Sequence, residues 1–195
     1  MRLVAALLLI AGAFAAVGFA RREDRIRQQK TLAAVASELA GRPVAVRCPG
    51  FLRTLVDTHG EAGRVQFDGD GRPANHTDLA PSTCSALRHI DRVDFSCVEL
   101  GDCGYAQFKV AWAAKTLAHE SFHLRGFQDE GITECYALQN TAFVAERLGV
   151  ATDPARELQA WMYAEGYPNE PQEYRSSDCY DGGPLDLRPR SSAFP

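Results

Sequence analysis

The apolar positions fall into a few well-marked patterns. Residues 3–20 form an uncharged run of Leu, Ala, Val, Phe and Gly behind Arg2. At 1.5 Å per residue, the 18 residues of that run make a helix of about 27 Å, the lower edge of a bilayer span. Ala13-Phe14-Ala15 and Gly18-Phe19-Ala20 also place small residues where a signal peptidase cuts. Residues 1–20 are therefore expected to be a signal peptide or a membrane anchor. Arg21, Arg22, Arg25, Arg27 and Lys30 follow and would oppose translocation of an uncleaved anchor. Residues 21–41 read as a helical linker, stopping at Gly41-Arg42-Pro43.

Past that stop the period changes. Val44 and Val46 alternate with small or polar neighbours over 42–48, and 63–67 alternates again before Asp68-Gly69-Asp70-Gly71, so both read as strands and the latter as a turn. A calcium loop is excluded there, because the twelfth position counted from Asp68 is Leu79 and not a glutamate. Ser82 is a candidate cap for a short helix reaching Ile90. Tyr105–Arg125 is apolar nearly all round and ends at Gly126, the pattern of a helix buried inside a domain. Further helices are expected from about Asp129 to Leu148 and from Asp153-Pro154 to about Glu165. From Pro168 onward the chain is rich in Pro, Gly, Ser and charge, and reads as irregular.

Composition narrows the class. The 195 residues suit one domain with a real core, and 46% hydrophobic with 24% charged residues excludes a disordered chain. The formal charge is −4 and the basic residues are scattered, so no nucleic-acid partner is expected. Cys48, Cys84, Cys97, Cys103, Cys135 and Cys179 all follow the apolar run, and their even number points to disulfides in an oxidising compartment. Cys97 with Cys103 is the easiest pair to close. Cys135 with Cys179 would staple the tail to a helix.

The chemistry lies inside the buried helix. His119-Glu120-Ser121-Phe122-His123 is an H-E-x-x-H motif. Residues four apart on a helix are offset by only about 40°, so both imidazoles can reach one metal ion. Glu120 sits one position round, able to touch a coordinated water without being a ligand. Zinc lowers the pKa of such a water to roughly 7 and an adjacent carboxylate can take its proton. Burying two histidines and a glutamate without a metal would cost several kcal/mol of desolvation.

The stretch from His119 to Ala137, with Glu130 and Glu134 in E-x-x-x-E-C-Y-A, resembles the gluzincin branch of the zincin metallopeptidases. That resemblance implies Glu130 as third metal ligand and Glu134 as the acid that orients a ligating histidine, with Glu134 as the alternative ligand. His119 to Asp129 also resembles the metzincin pattern in its Asp form, which would make Asp129 the ligand. Metzincins place a methionine turn beneath the metal, and Met162 stands in a helical context. The resemblance further implies an α+β fold: a mostly helical zincin-like domain over 42–195, with a small sheet beside the H-E-x-x-H helix. An edge strand there would align the substrate, with Gly63–Phe67 as candidate.

The expectation is an exported zinc-dependent metallopeptidase acting on a peptide or protein, attached to the membrane if residues 1–20 are retained. Glu120 would be the general base; His119, His123 and Glu130 would hold Zn2+. A rival is an exported disulfide-stabilised binding or structural protein whose metal serves stability alone. Tyr136, Tyr163, Tyr167 and Tyr174 are each candidate oxyanion donors. No spacing selects among them.

Overall fold

The computed structural model describes residues 2–49, 61–100, 103–191 and 194–195, with 2–17 and 99–100 as backbone only. It is an α+β structure: α1 (Arg2–Ala40), β1 (Ala45–Arg47), β2 (Gly63–Phe67), β3 (Pro73–Leu79), α2 (Pro81–Arg88), α3 (Cys97–Leu100), α4 (Tyr105–Arg125), α5 (Glu130–Leu138), α6 (Thr141–Arg147) and α7 (Thr152–Trp161). The tail adds short 3-10 turns. The sheet order is β1-β3-β2, with β1 parallel and β2 antiparallel to β3. Among the described residues β2 pairs on one side only, so it is an edge strand.

Helix α4 is the axis of the molecule. Ala111, Ala114, Leu117, Ala118 and Leu124 are fully buried, and α1, α2, α5, α6, β2 and β3 pack around them. The second half of α1 presents Leu32, Val35, Ala36 and Leu39 at one-face spacing to this core. Residues 21–41, expected as a linker, thus supply a wall of the domain. Among the described residues no helix is long and apolar enough to cross a membrane. The side chains of 2–17, which carry most of the apolar run, lie outside the description.

Several local expectations change in detail. Strand β3 has no alternating pattern and begins with Pro73; it forms because its Thr77 and Leu79 are buried between its neighbours and α4. Helix α2 is capped at Ala80, not Ser82, with Pro81 in its first turn and no side-chain cap. The helix expected over 129–148 breaks where Asn140 leaves helical geometry (φ −121°, ψ 9°). Beside the break Gln139 is buried and engaged with the tail, donating to the Leu185 carbonyl (2.8 Å) and accepting from the Leu187 N–H (2.8 Å). Helix α7 ends at Trp161 and continues as a wider π turn, Met162–Gly166.

All six cysteines are paired: Cys48–Cys84, Cys97–Cys103 and Cys135–Cys179. Three disulfides mark a chain that folds in an oxidising environment. Cys135–Cys179 closes a separation of 44 residues and fastens the tail to α5. Replacing both of its cysteines by alanine should lower the unfolding free energy by about 3–4 kcal/mol in urea titrations. A loss below about 1 kcal/mol would show that the tail holds itself in place without the bond.

Candidate metal centre

Two backbone devices bring the site together. Gly126 ends α4 in the left-handed region (φ 115°), its N–H donating to the His123 and Phe122 carbonyls, while the Phe127 N–H reaches the Phe122 carbonyl at 3.2 Å. This reversal folds the Phe127 carbonyl back over the last turn, where it accepts from His123 Nδ1 at 2.7 Å. Asp129 then caps α5 by accepting from the Ile132 N–H at 2.8 Å. Glu130 is thereby the first residue of a helix that starts facing the two histidines.

The hydrogen bonds dictate the tautomers. A carbonyl oxygen only accepts, so His123 Nδ1 carries a proton and Nε2 presents a lone pair when the ring is neutral. His119 Nδ1 meets Glu134 Oε2 at 2.8 Å, which imposes the same arrangement. Both Nε2 atoms converge on Glu130 Oε2, at 3.0 Å from His119 and 3.2 Å from His123. Two ligands on a tetrahedral metal with bonds near 2.0–2.1 Å stand roughly 3.3 Å apart, close to the separation of Glu130 Oε2 from each histidine. His119, His123 and Glu130 form a group that could hold a metal ion, their ligand atoms lying within 4.8 Å of one another.

The carboxylates divide by environment. The Glu130 side chain is 38% exposed and faces a cleft of about 760 Å³, whereas that of Glu134 is 1% exposed. Both Glu134 oxygens are taken, Oε2 by His119 and Oε1 by the Lys115 ammonium. Asp129 is occupied as a helix cap and stands outside the group. The geometry thus gives the three alternatives separate places.

Glu120 is buried one position round. Its Oε2 lies 3.3 Å from Thr77 Oγ1 on β3, and its other oxygen faces Gly63 at the start of β2. A Cβ on Gly63 would stand 2.7 Å from both Cγ and Oε1 of Glu120, so glycine is required for the carboxylate to occupy this place. Burial pushes Glu120 up to about 7, against the pull of both histidines. Burial pulls His119 down, but hydrogen bonds to Glu130 and Glu134 outweigh it and raise the imidazole to about 9, so a cation would have to displace the proton that Nε2 shares with Glu130. Those same histidine bonds hold Glu130 at about 2.

Behind the site is a cluster with no counterpart in the motif. Lys115, one turn before His119, is buried; its ammonium pairs with Glu134 and with Glu170 from the tail, and lies 3.8 Å over the Trp112 ring. Burial would raise Glu134, but Lys115 and His119 hold it below the usual carboxylate range. Burial pushes Glu170 up, Lys115 opposing and Glu134 adding to the shift. A lysine in a helix apolar nearly all round has to find an acid, so Lys115 was a readable signal; nothing local marked Glu170, Thr77 or Gly63.

The four tyrosines separate as well. Tyr163 donates to the Cys179 carbonyl, Tyr167 is bonded to Ser176, and Tyr136 packs against Phe122 and Phe127. Tyr174 lines the cleft with its ring 5.7 Å from that of His119, and its hydroxyl has no partner among the described residues. Burial and the carboxylates Glu130, Glu134 and Glu120 push it up to about 12, so it stays a protonated donor. Compared with known families, curated proteins and solved structures, the chain matches none.

Lys115→Met should leave Glu134 and Glu170 buried without a counter-charge and cost about 3–5 kcal/mol of stability. Lys115→Met with Glu170→Gln should recover part of that loss in the same urea titration. If Lys115→Met is neutral, these carboxylates do not depend on the ammonium.

Proposed function

We propose that the protein is an exported zinc-dependent hydrolase of peptide bonds. The observation that carries this reading is the meeting of His119 Nε2, His123 Nε2 and Glu130 Oε2 at the floor of an open cleft, with Glu120 beside them and not among them. Two imidazoles and a carboxylate are a donor set that zinc accepts with one position left open, where it would supply a Lewis acid and activate water near neutral pH.

The other roles belong to this chain. Glu120 takes the proton of the attacking water and passes it to the departing amine. Glu134 and the Phe127 carbonyl keep both imidazoles turned toward the ligand position. Tyr174 donates a hydrogen bond to the substrate carbonyl oxygen as negative charge builds on it. The edge of β2 that is unpaired among the described residues, whose Gly63, Arg64, Val65 and Phe67 line the cleft, accepts an extended peptide as one more strand and brings it alongside Glu120. Export accords with the three disulfides and with the apolar run at 3–20. A metal kept for stability alone would need neither Glu120 nor a ligand open to a cleft.

Glu120→Gln should retain its zinc and its fold while peptide hydrolysis falls by about 10²–10⁴-fold. Metal content by elemental mass spectrometry, with cleavage of a mixed peptide library, reads both; loss of zinc on this substitution would make Glu120 a ligand instead of the base. Gly63→Ala should lower kcat by up to about 10²-fold through displacement of Glu120, with metal content unchanged. Full activity in Gly63→Ala would mean that Glu120 acts from another position.

A further inference from the structure

Beside the metal cleft is a second cavity of about 810 Å³, walled by Ala80, Pro81, Phe108, Trp112 and Ala113. The two share Glu61, Ala62 and Trp112, so they are adjoining chambers. Among the described residues the second chamber has none of the metal-ligating or general-base groups, and its charge is confined to Glu61, Lys109 and Glu165. Its aromatic wall is built rigidly. Phe108 contacts Trp112 (centroids 5.5 Å apart) and Trp161 (6.1 Å), and the Lys115 ammonium lies over the Trp112 ring at 3.8 Å. The ammonium that neutralises Glu134 thus also holds the partition between the chambers.

We infer that this cavity receives one bulky apolar side chain of the substrate, from a residue within two positions of the scissile bond, so that cleavage is selective for aromatic or large aliphatic residues there. This rests on the hydrolase reading above. Trp112 precedes His119 by seven residues on α4, about 10 Å along the helix axis. Two residues of extended backbone advance about 7 Å and a bulky side chain covers the remaining few Å, so a residue within two positions of a peptide group at the metal reaches the cavity. A small or charged side chain would leave the apolar walls wet or be desolvated without a partner. Lengthwise, Glu61 and Ala62 immediately precede β2, so a peptide lying along that edge passes the cavity mouth.

The probes are peptide hydroxamates that differ only in one side chain, benzyl, isobutyl, methyl or carboxyethyl, titrated against the zinc-loaded full chain. Benzyl and isobutyl compounds should bind at least about tenfold tighter than methyl, and the carboxyethyl compound no tighter than methyl. Ser82→Trp, at an exposed position of α2 lining the cavity, should collapse that ratio while circular dichroism shows an intact fold. Equal binding of all four to wild type, or preference for carboxyethyl, would overturn the pocket and leave the metal site standing. Binding of none would overturn the pocket and the metal-dependent reading together. Selective binding without cleavage of any library peptide would retain the pocket and remove the hydrolase reading.

Discussion

Two protons decide what this site is: those on the Nδ1 atoms of His119 and His123. One is given to the Glu134 carboxylate and the other to the Phe127 carbonyl, and each bond leaves Nε2 as the ring atom aimed at the common point. The acceptors come from different parts of the fold. Phe127 reaches its histidine because Gly126 reverses the chain in a conformation other residues rarely adopt. Glu134 reaches its histidine because α5 packs against α4 and because Lys115 makes its burial tolerable. Without either acceptor an imidazole would be free to turn or to protonate at the wrong nitrogen.

The rest of the architecture serves that arrangement. The sheet lies over α4 with Gly63 and Thr77 against Glu120, and Phe67 edge-on to His123 at 5.9 Å. Arg42 ties the sheet to the end of the same helix, its Nε donating to the Leu124 carbonyl (3.0 Å) and its Nη2 to the Ala74 carbonyl (2.7 Å). The tail contributes more than its irregular composition promised. Held by Cys135–Cys179, it delivers Glu170 to the buried lysine and Tyr174 to the cleft. The disulfide begins at the residue after Glu134, so the covalent anchor and the histidine's acceptor share one turn of α5.

What the sequence made legible was local. The H-E-x-x-H pair, the glycine that ends its helix and the glutamates four apart are short-range patterns, and their spacing alone implied a shared face. Gly63–Phe67 was equally plain, since its alternation survives in the half-buried pattern of an edge strand. The choice among Glu130, Glu134 and Asp129 was not legible, because it turns on which carboxylate is left open once a helix cap and a buried lysine have claimed the others. Strand β3, Glu170 and the choice of Tyr174 among the four candidate tyrosines were hidden for the same reason. Each takes its role from a distant partner, and neither periodicity nor composition records such partners.

The central claim is that this cluster binds a metal, and metal content tests it most directly. The oxidised protein, purified without a polyhistidine tag and supplied with zinc, should carry about one zinc per chain by elemental mass spectrometry, and His123→Ala should carry almost none. A folded, disulfide-intact wild type that holds no zinc would contradict the account. The two imidazoles and Glu130 would then be no more than a buried hydrogen-bonded cluster.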